Sequence, residues 1–96
     1  MGSFILTQKA MEDLLSIGRY TRKQWGRAQQ IRYLTQLDSA FHDLADQPDI
    51  GRACDDIREG YFKYGVGKHV IFYRQTKGLI EIIRILHGRM DIEQHL

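Results

Sequence analysis

The hydrophobic period of this chain changes once, and the change falls at its single proline, Pro48. Before it, apolar residues recur at steps of three and four. Ala10, Leu14, Ile17 and Thr21 form one such series, and Ile31, Leu34, Leu37, Phe41 and Leu44 form another. That spacing places each set on one face of an α-helix. From Gly60 onward the period is two, and the residues are aromatic or β-branched, as strands require. A chain of 96 residues holding two helices and then several strands has room for one core, so the helices must cover a sheet made by the second half.

The element boundaries follow from local chemistry. Phe4-Ile5-Leu6 is a short strand, and Thr7 supplies a hydroxyl to cap a helix beginning near Gln8. Arg19, Arg22 and Lys23 sit where the helix dipole favours cations, and Gly26 makes the corner into the second helix. Trp25, beside that corner, is expected to cap the core. Pro48 ends the second helix, and the short connection makes the pair an antiparallel hairpin. Residues 48–60 read as a loop. Phe62, Tyr64 and Val66 then alternate with Tyr61, Lys63 and Gly65. Gly67-Lys68 and Thr76-Lys77-Gly78 are turns on either side of the run His69–Arg74. Leu79–Leu86 is apolar on both faces and belongs inside the sheet. Asp91–Leu96 is expected to add a helical turn. The fold class is α+β: a strand, a helical hairpin and a three-stranded antiparallel meander, with the helices on one face of the sheet and residues 1–96 forming a single domain.

Charge and composition narrow the function. Net charge is +2, with six bases and six acids in residues 1–50. From Arg58 to Arg89 seven bases meet only Glu59 and Glu81, a segment of +5. This predicts a positive surface suited to an anionic partner, or a solvated sheet edge kept soluble by its cations. Cys54, the only cysteine, excludes an internal disulfide and reads as a small half-buried loop residue. No stretch approaches a membrane span, and the N-terminus lacks the basic start and long apolar run of a secretory signal, so the cytoplasm is the expected compartment. His42, His69, His87 and His95 show no metal-binding spacing, and no phosphate-cradling glycine loop or nucleophile elbow occurs. No metal or cofactor is implied.

Arg84, His87 and Arg89 form the most suggestive cluster. A histidine titrating near pH 6.5 beside arginines would suit RNA cleavage. In the simpler reading, Arg84 pairs with Glu81 or Asp91 and His87 orders the chain end. Strand alternation places Arg84 and His87 on opposite faces unless the strand bends near Gly88. Tyr61, Phe62, Tyr64, Phe72 and Tyr73 among Lys63, Lys68 and Arg74 resemble a single-strand platform, but half of these aromatics should face the helices.

Taken as words in order, Gln24-Trp25-Gly26, Leu44 to Arg52, Asp56 to Tyr61, His69 to Arg74 and Ile83 to Asp91 resemble the ParE branch of the RelE/ParE toxin superfamily. In that resemblance Asp56–Tyr61 stands for the second strand. The resemblance implies a cytoplasmic toxin that poisons DNA gyrase, catalyses no reaction, binds no specific nucleic-acid sequence and is held in a hetero-oligomer by a ParD-like antitoxin. The sister RelE branch, whose members cleave messenger RNA on the ribosome, is the alternative, with Lys63, Arg84 and His87 available to it. The residues expected to face a target or antitoxin are Arg58, Lys63, Arg74, Arg84, His87 and Arg89.

Overall fold

The computed structural model describes residues 2–89 and 95–96. Strand β1 (Ser3–Leu6) leads into α1 (Gln8–Trp25), and α2 (Arg27–Asp46) follows after one residue. A 3-10 turn at Pro48–Ile50 precedes a two-residue strand, β2 (Arg52–Ala53), inside the stretch 48–60 expected as a loop. Then come β3 (Tyr61–Val66), β4 (His69–Thr76) and β5 (Leu79–His87). The residues Asp56–Gly60, matched by resemblance to a strand, instead form turns. Cys54 O accepts from the backbone N–H groups of Ile57 and Arg58, which closes them into a compact corner. Of the expected tail helix, Asp91–Gln94 lie outside the described residues.

Helix boundaries arise as their residues dictate. Thr7 Oγ1 accepts from Ala10 N at 3.0 Å, occupying one free donor of the first turn of α1. Gly26 ends α1 and opens α2 with φ 90° and ψ 173°, a conformation essentially confined to glycine. Its N–H closes on Arg22 O at 2.8 Å, and its carbonyl accepts from Gln30 N at 3.1 Å, so one residue serves both helices. At Gly18 the helices approach closely: a side chain there would meet Leu34 at 3.3 Å.

The sheet order is β1-β5-β4-β3-β2. The meander is antiparallel, whereas β1 pairs parallel to β5, Ser3 opposite Leu79 through Leu6 opposite Ile82. This parallel pairing makes β5 internal and explains its two apolar faces. A bulge at Phe72/Tyr73 shifts the register of β4 against β5.

Alternation along the strands divides the side chains into two clusters. The main core lies between sheet and hairpin: Leu37, Phe41 and Leu44 of α2 and Ala10 and Ile17 of α1 pack on Ile71, Tyr73, Ile80, Ile82 and Ile85. Each fully buried Leu, Ile or Phe contributes about 1.5–3 kcal/mol. On the outer sheet face, Phe72, Leu86 and Cys54 form a smaller cluster under Ile57, Tyr61, Val70 and Leu96. Cys54 is therefore fully buried, deeper than its loop position suggested, because the corner at residues 54–58 folds its thiol under the sheet.

Candidate interaction site

The outer sheet face carries the cations that sequence reasoning singled out, but it holds them differently. Lys63 is opposite Phe72 in register and alternates onto the same face as Tyr61. Arg74 lies further along that face and bonds Glu81 across the β4–β5 pair at 2.7 Å, half exposed. Arg58 stands over the Tyr61 ring at 5.7 Å and donates to Leu96 O at 2.8 Å, so it pins the chain end against the outer cluster.

Arg84 corrects an expectation. Among the described residues its carboxylate partner is not Glu81 but Asp13 of α1, 71 residues away, and Asp91 lies outside the described residues. Nε and Nη2 donate to the two carboxylate oxygens at 2.8 and 2.9 Å, the forked geometry in which guanidinium and carboxylate bind most strongly. Only 15% of each side chain is exposed. The adjacent carboxylate raises the already high pKa of Arg84, outweighing the effect of burial. Asp13 also accepts from Ile85 N at 3.0 Å. The cause is the shortness of β1. Its pairing with β5 ends at Leu6–Ile82, and beyond that point Thr7 and Asp13 supply the partners that a longer strand would have given. Thr7 N donates to Ile82 O, Thr7 Oγ1 donates to Ile83 O at 2.8 Å, and Asp13 takes the N–H of Ile85.

His87 lies on the opposite face, as alternation required. It pairs with His69 across β4–β5, their rings edge to face with centroids 5.4 Å apart. The Tyr33 hydroxyl of α2 is 2.6 Å from His69 Nδ1, and it also accepts from Lys68 N at 3.3 Å. Burial lowers the pKa of His69, and a charge on His87 lowers it further. Burial likewise raises the pKa of the Tyr33 phenol. Both groups are thus held neutral, as a structural hydrogen bond at the hairpin–sheet junction requires. Arg89 is exposed, and its backbone N–H donates to His87 Nδ1 at 3.2 Å.

The six candidate residues therefore do not converge. Lys63, Arg74, Arg84 and Arg58 belong to the outer sheet side, His87 to the inner side, and Arg89 to the chain beyond β5. The aromatics divide as alternation predicts: Phe62, Tyr64 and Tyr73 join the main core, Tyr61 and Phe72 the outer cluster. Burial raises the pKa of the Cys54 thiol and keeps it protonated. That state suits packing rather than nucleophilic work.

The helical hairpin presents a surface that the periodicity did not reveal. Met11 and Leu15 are 46% and 54% exposed, and they share a stripe of α1 with Gly18, the point of contact with α2. Ile31 of α2 is 54% exposed. Trp25 does not cap the core: it is 69% exposed. At the corner beside it, a side chain added at Gly26 would meet nothing within 4 Å. The spacing of Met11 and Leu15 was readable as helical, but not which flank of the helix would lack a neighbour.

Two antiparallel helices laid on one face of a five-stranded sheet with a parallel β1–β5 pair define the fold of the ParE and RelE toxins. The chromosomal ParDE toxin–antitoxin system of Pseudomonas aeruginosa contains a chain of this fold with TM-score 0.78 at 19% identity, covering 91% of this chain and 96% of that one. The RelBE2 toxin–antitoxin complex of Mycobacterium tuberculosis contains another, with TM-score 0.66 at 24% identity, covering 90% and 96%. Sequence places the protein more narrowly. The family described as ParE toxin of type II toxin-antitoxin system, parDE, matches residues 4–92. Toxin ParE1 of Mycobacterium tuberculosis is 43% identical over 97% of this chain and 96% of its own length. Toxin ParE1 of Caulobacter vibrioides is 34% identical over 100% and 99%. The chain belongs to the ParE toxin family of type II toxin–antitoxin systems.

Proposed function

We propose that this toxin acts on DNA gyrase, stabilising the enzyme's covalent break in DNA, and that a ParD-like antitoxin neutralises it by direct binding. The observation that carries the proposal is the ParE match across residues 4–92, with relatives named ParE aligned over nearly their full length. The geometry supports action by binding. The cations of the outer face are dispersed or tied into the fold, and the hairpin leaves Met11, Leu15 and Ile31 exposed for an apolar partner. An antitoxin segment with acidic residues and apolar anchors would bury these side chains and offset its ordering entropy. The test is a supercoiling and cleavage assay with purified gyrase. Accumulation of cleaved DNA complexes supports the reading, and unchanged supercoiling and cleavage at excess toxin refutes it.

The alternative, a RelE-like ribosome-dependent endoribonuclease, draws on the Tyr33–His69–His87 cluster and on the fold shared with the RelBE2 complex. It fits the geometry less well, since Arg84 is committed to Asp13 and lies across the sheet from His87. Mapping of mRNA ends after expression would reveal codon-linked cuts if this reading is correct.

A further inference from the structure

The corner of the helical hairpin carries a charge that the averages over the first fifty residues conceal. From Leu14 to Leu37 the chain contains no Asp or Glu, and in that span lie Arg19, Arg22, Lys23, Arg27 and Arg32. All five are exposed, and every residue from Arg22 to Ala28 is exposed. The compensating acids of this half of the chain lie outside the stretch, Glu12 and Asp13 before it and Asp38 onward after it. Of these, Asp13 is already held by Arg84. Among the described residues, no salt bridge joins any of the five cations to a carboxylate; Arg32 donates to the neutral side chain of Gln29. Two exposed aromatics, Tyr20 at 62% and Trp25 at 69%, stand among them.

We infer that this hairpin corner is a contact surface for the phosphate backbone of duplex DNA, separate from the outer sheet face and independent of any base sequence. Three features favour a duplex. The first is shape: the corner is an exposed end where two helices meet, every residue from Arg22 to Ala28 open to solvent. Two hollows, one of about 280 Å³ between Gln36 and Gly67 and one of about 300 Å³ between Ala45 and Leu79, lie elsewhere. A single strand draws its affinity from a groove that tracks it, and an amphipathic helix from a groove that takes its apolar face. A contact with duplex phosphates needs neither. The second is composition: four of the five cations are arginines, whose planar fork matches phosphate geometry. The third is charge density: a duplex offers one negative charge per about 1.7 Å of its axis, so a compact cluster meets several phosphates at once and releases their counterions. The inference stands or falls apart from the gyrase reading, because it concerns direct contact with DNA in the absence of any enzyme.

Trp25 is the only tryptophan and lies within the proposed surface, so its fluorescence reports on the contact directly. Purified full-length toxin is titrated with a random-sequence DNA duplex at 50 and 200 mM salt. The expected result is a change in Trp25 emission and an affinity that falls roughly 100-fold between the two salts, as about four phosphate contacts require. The variant R22A/K23A/R27A should bind at least about tenfold more weakly and with a shallower salt slope, since each lost phosphate contact removes about one unit of slope. R22K/R27K keeps the charge and should keep the salt slope at a weaker affinity than the parent, and R52A/K68A, two exposed cations elsewhere on the molecule, should bind like the parent. Circular dichroism confirms that each variant is folded. Absence of salt-dependent binding at 50 mM, or equal affinity of parent and R22A/K23A/R27A, overturns the inference. So does equally tight binding of polyglutamate, which would assign the corner to an acidic protein, or tighter binding of single-stranded RNA.

Discussion

Asp13 and Arg84 show how much a single residue pair holds in this protein. Asp13 completes the hydrogen bonding of the β5 edge and neutralises Arg84, joining α1 to the middle of the sheet. Arg84→Ala leaves a largely buried carboxylate with one fewer cation, and Asp13→Ala strands both a guanidinium and a backbone N–H. Each should cost about 3 kcal/mol, at the low end of the range for a broken buried pair because 15% of each side chain still reaches water. Urea denaturation of both single variants and the double variant measures the coupling, and additive losses would show that the two side chains do not interact. His69 gives a second expectation. Its pKa is lowered in the folded protein, so below about pH 6.5 the unfolded chain takes up a proton that the native ring resists. Stability should be unaffected by this group above that pH and should fall as pH drops through it toward the lowered native value. The midpoint of denaturation at pH 7.5 and 5.5 tests this, and the difference attributable to this site should vanish in His69→Gln. Neither pairing could be read from the sequence. Glu81 was the nearer acid for Arg84, but it is occupied by Arg74, and Asp13 comes within reach only because β1 is four residues long.

At the scale of elements, the turns and caps were legible because their chemistry is local. Thr7, Gly26 and Pro48 fix the helix ends at the positions their backbone preferences demand. The β4–β5 turn carries a compromise: Lys77 has φ 43° and Gly78 φ 82°, so a non-glycine residue occupies a left-handed position. Lys77→Asn should stabilise the protein by about 0.5–1 kcal/mol, since asparagine tolerates that conformation in two-residue hairpin turns. Thermal unfolding would register a raised Tm, and an unchanged one would mean that Lys77 bears no strain. Gly26→Ala should destabilise by about 1–3 kcal/mol through backbone conformation alone, because an added Cβ there meets no atom within 4 Å. The short strand β2 was missed because two residues carry no period, and it exists only where Arg52 and Ala53 meet Lys63 and Phe62. The hairpin is also where antitoxin binding is expected to register. Leu15→Glu with Ile31→Glu should weaken a toxin–antitoxin complex by at least about tenfold, an effect of roughly 1.4 kcal/mol, while leaving the exposed surface of the free toxin soluble. Isothermal titration with the cognate antitoxin decides it.

For the molecule as a whole, the proposed action on gyrase predicts that fold and toxicity separate by position. Lys63→Ala with Arg89→Ala removes two cations for which no ion pair is formed among the described residues, so stability should hold within about 0.5 kcal/mol. If these cations face the target, cleavage-complex formation should fall several-fold, and an unchanged dose response would remove them from the target surface. The change of period at Pro48, the caps and the alternation of the strands determined by themselves that two helices would cover a sheet and that half of the sheet aromatics would face them, since these depend on neighbours within a few residues. The parallel seat of β1 against β5, the capture of Arg84 by Asp13, the neutral His69 junction and the exposure of Trp25 were decided only by tertiary structure. Each depends on which distant groups are brought within a few ångströms, and packing of the complete sheet and hairpin sets those separations.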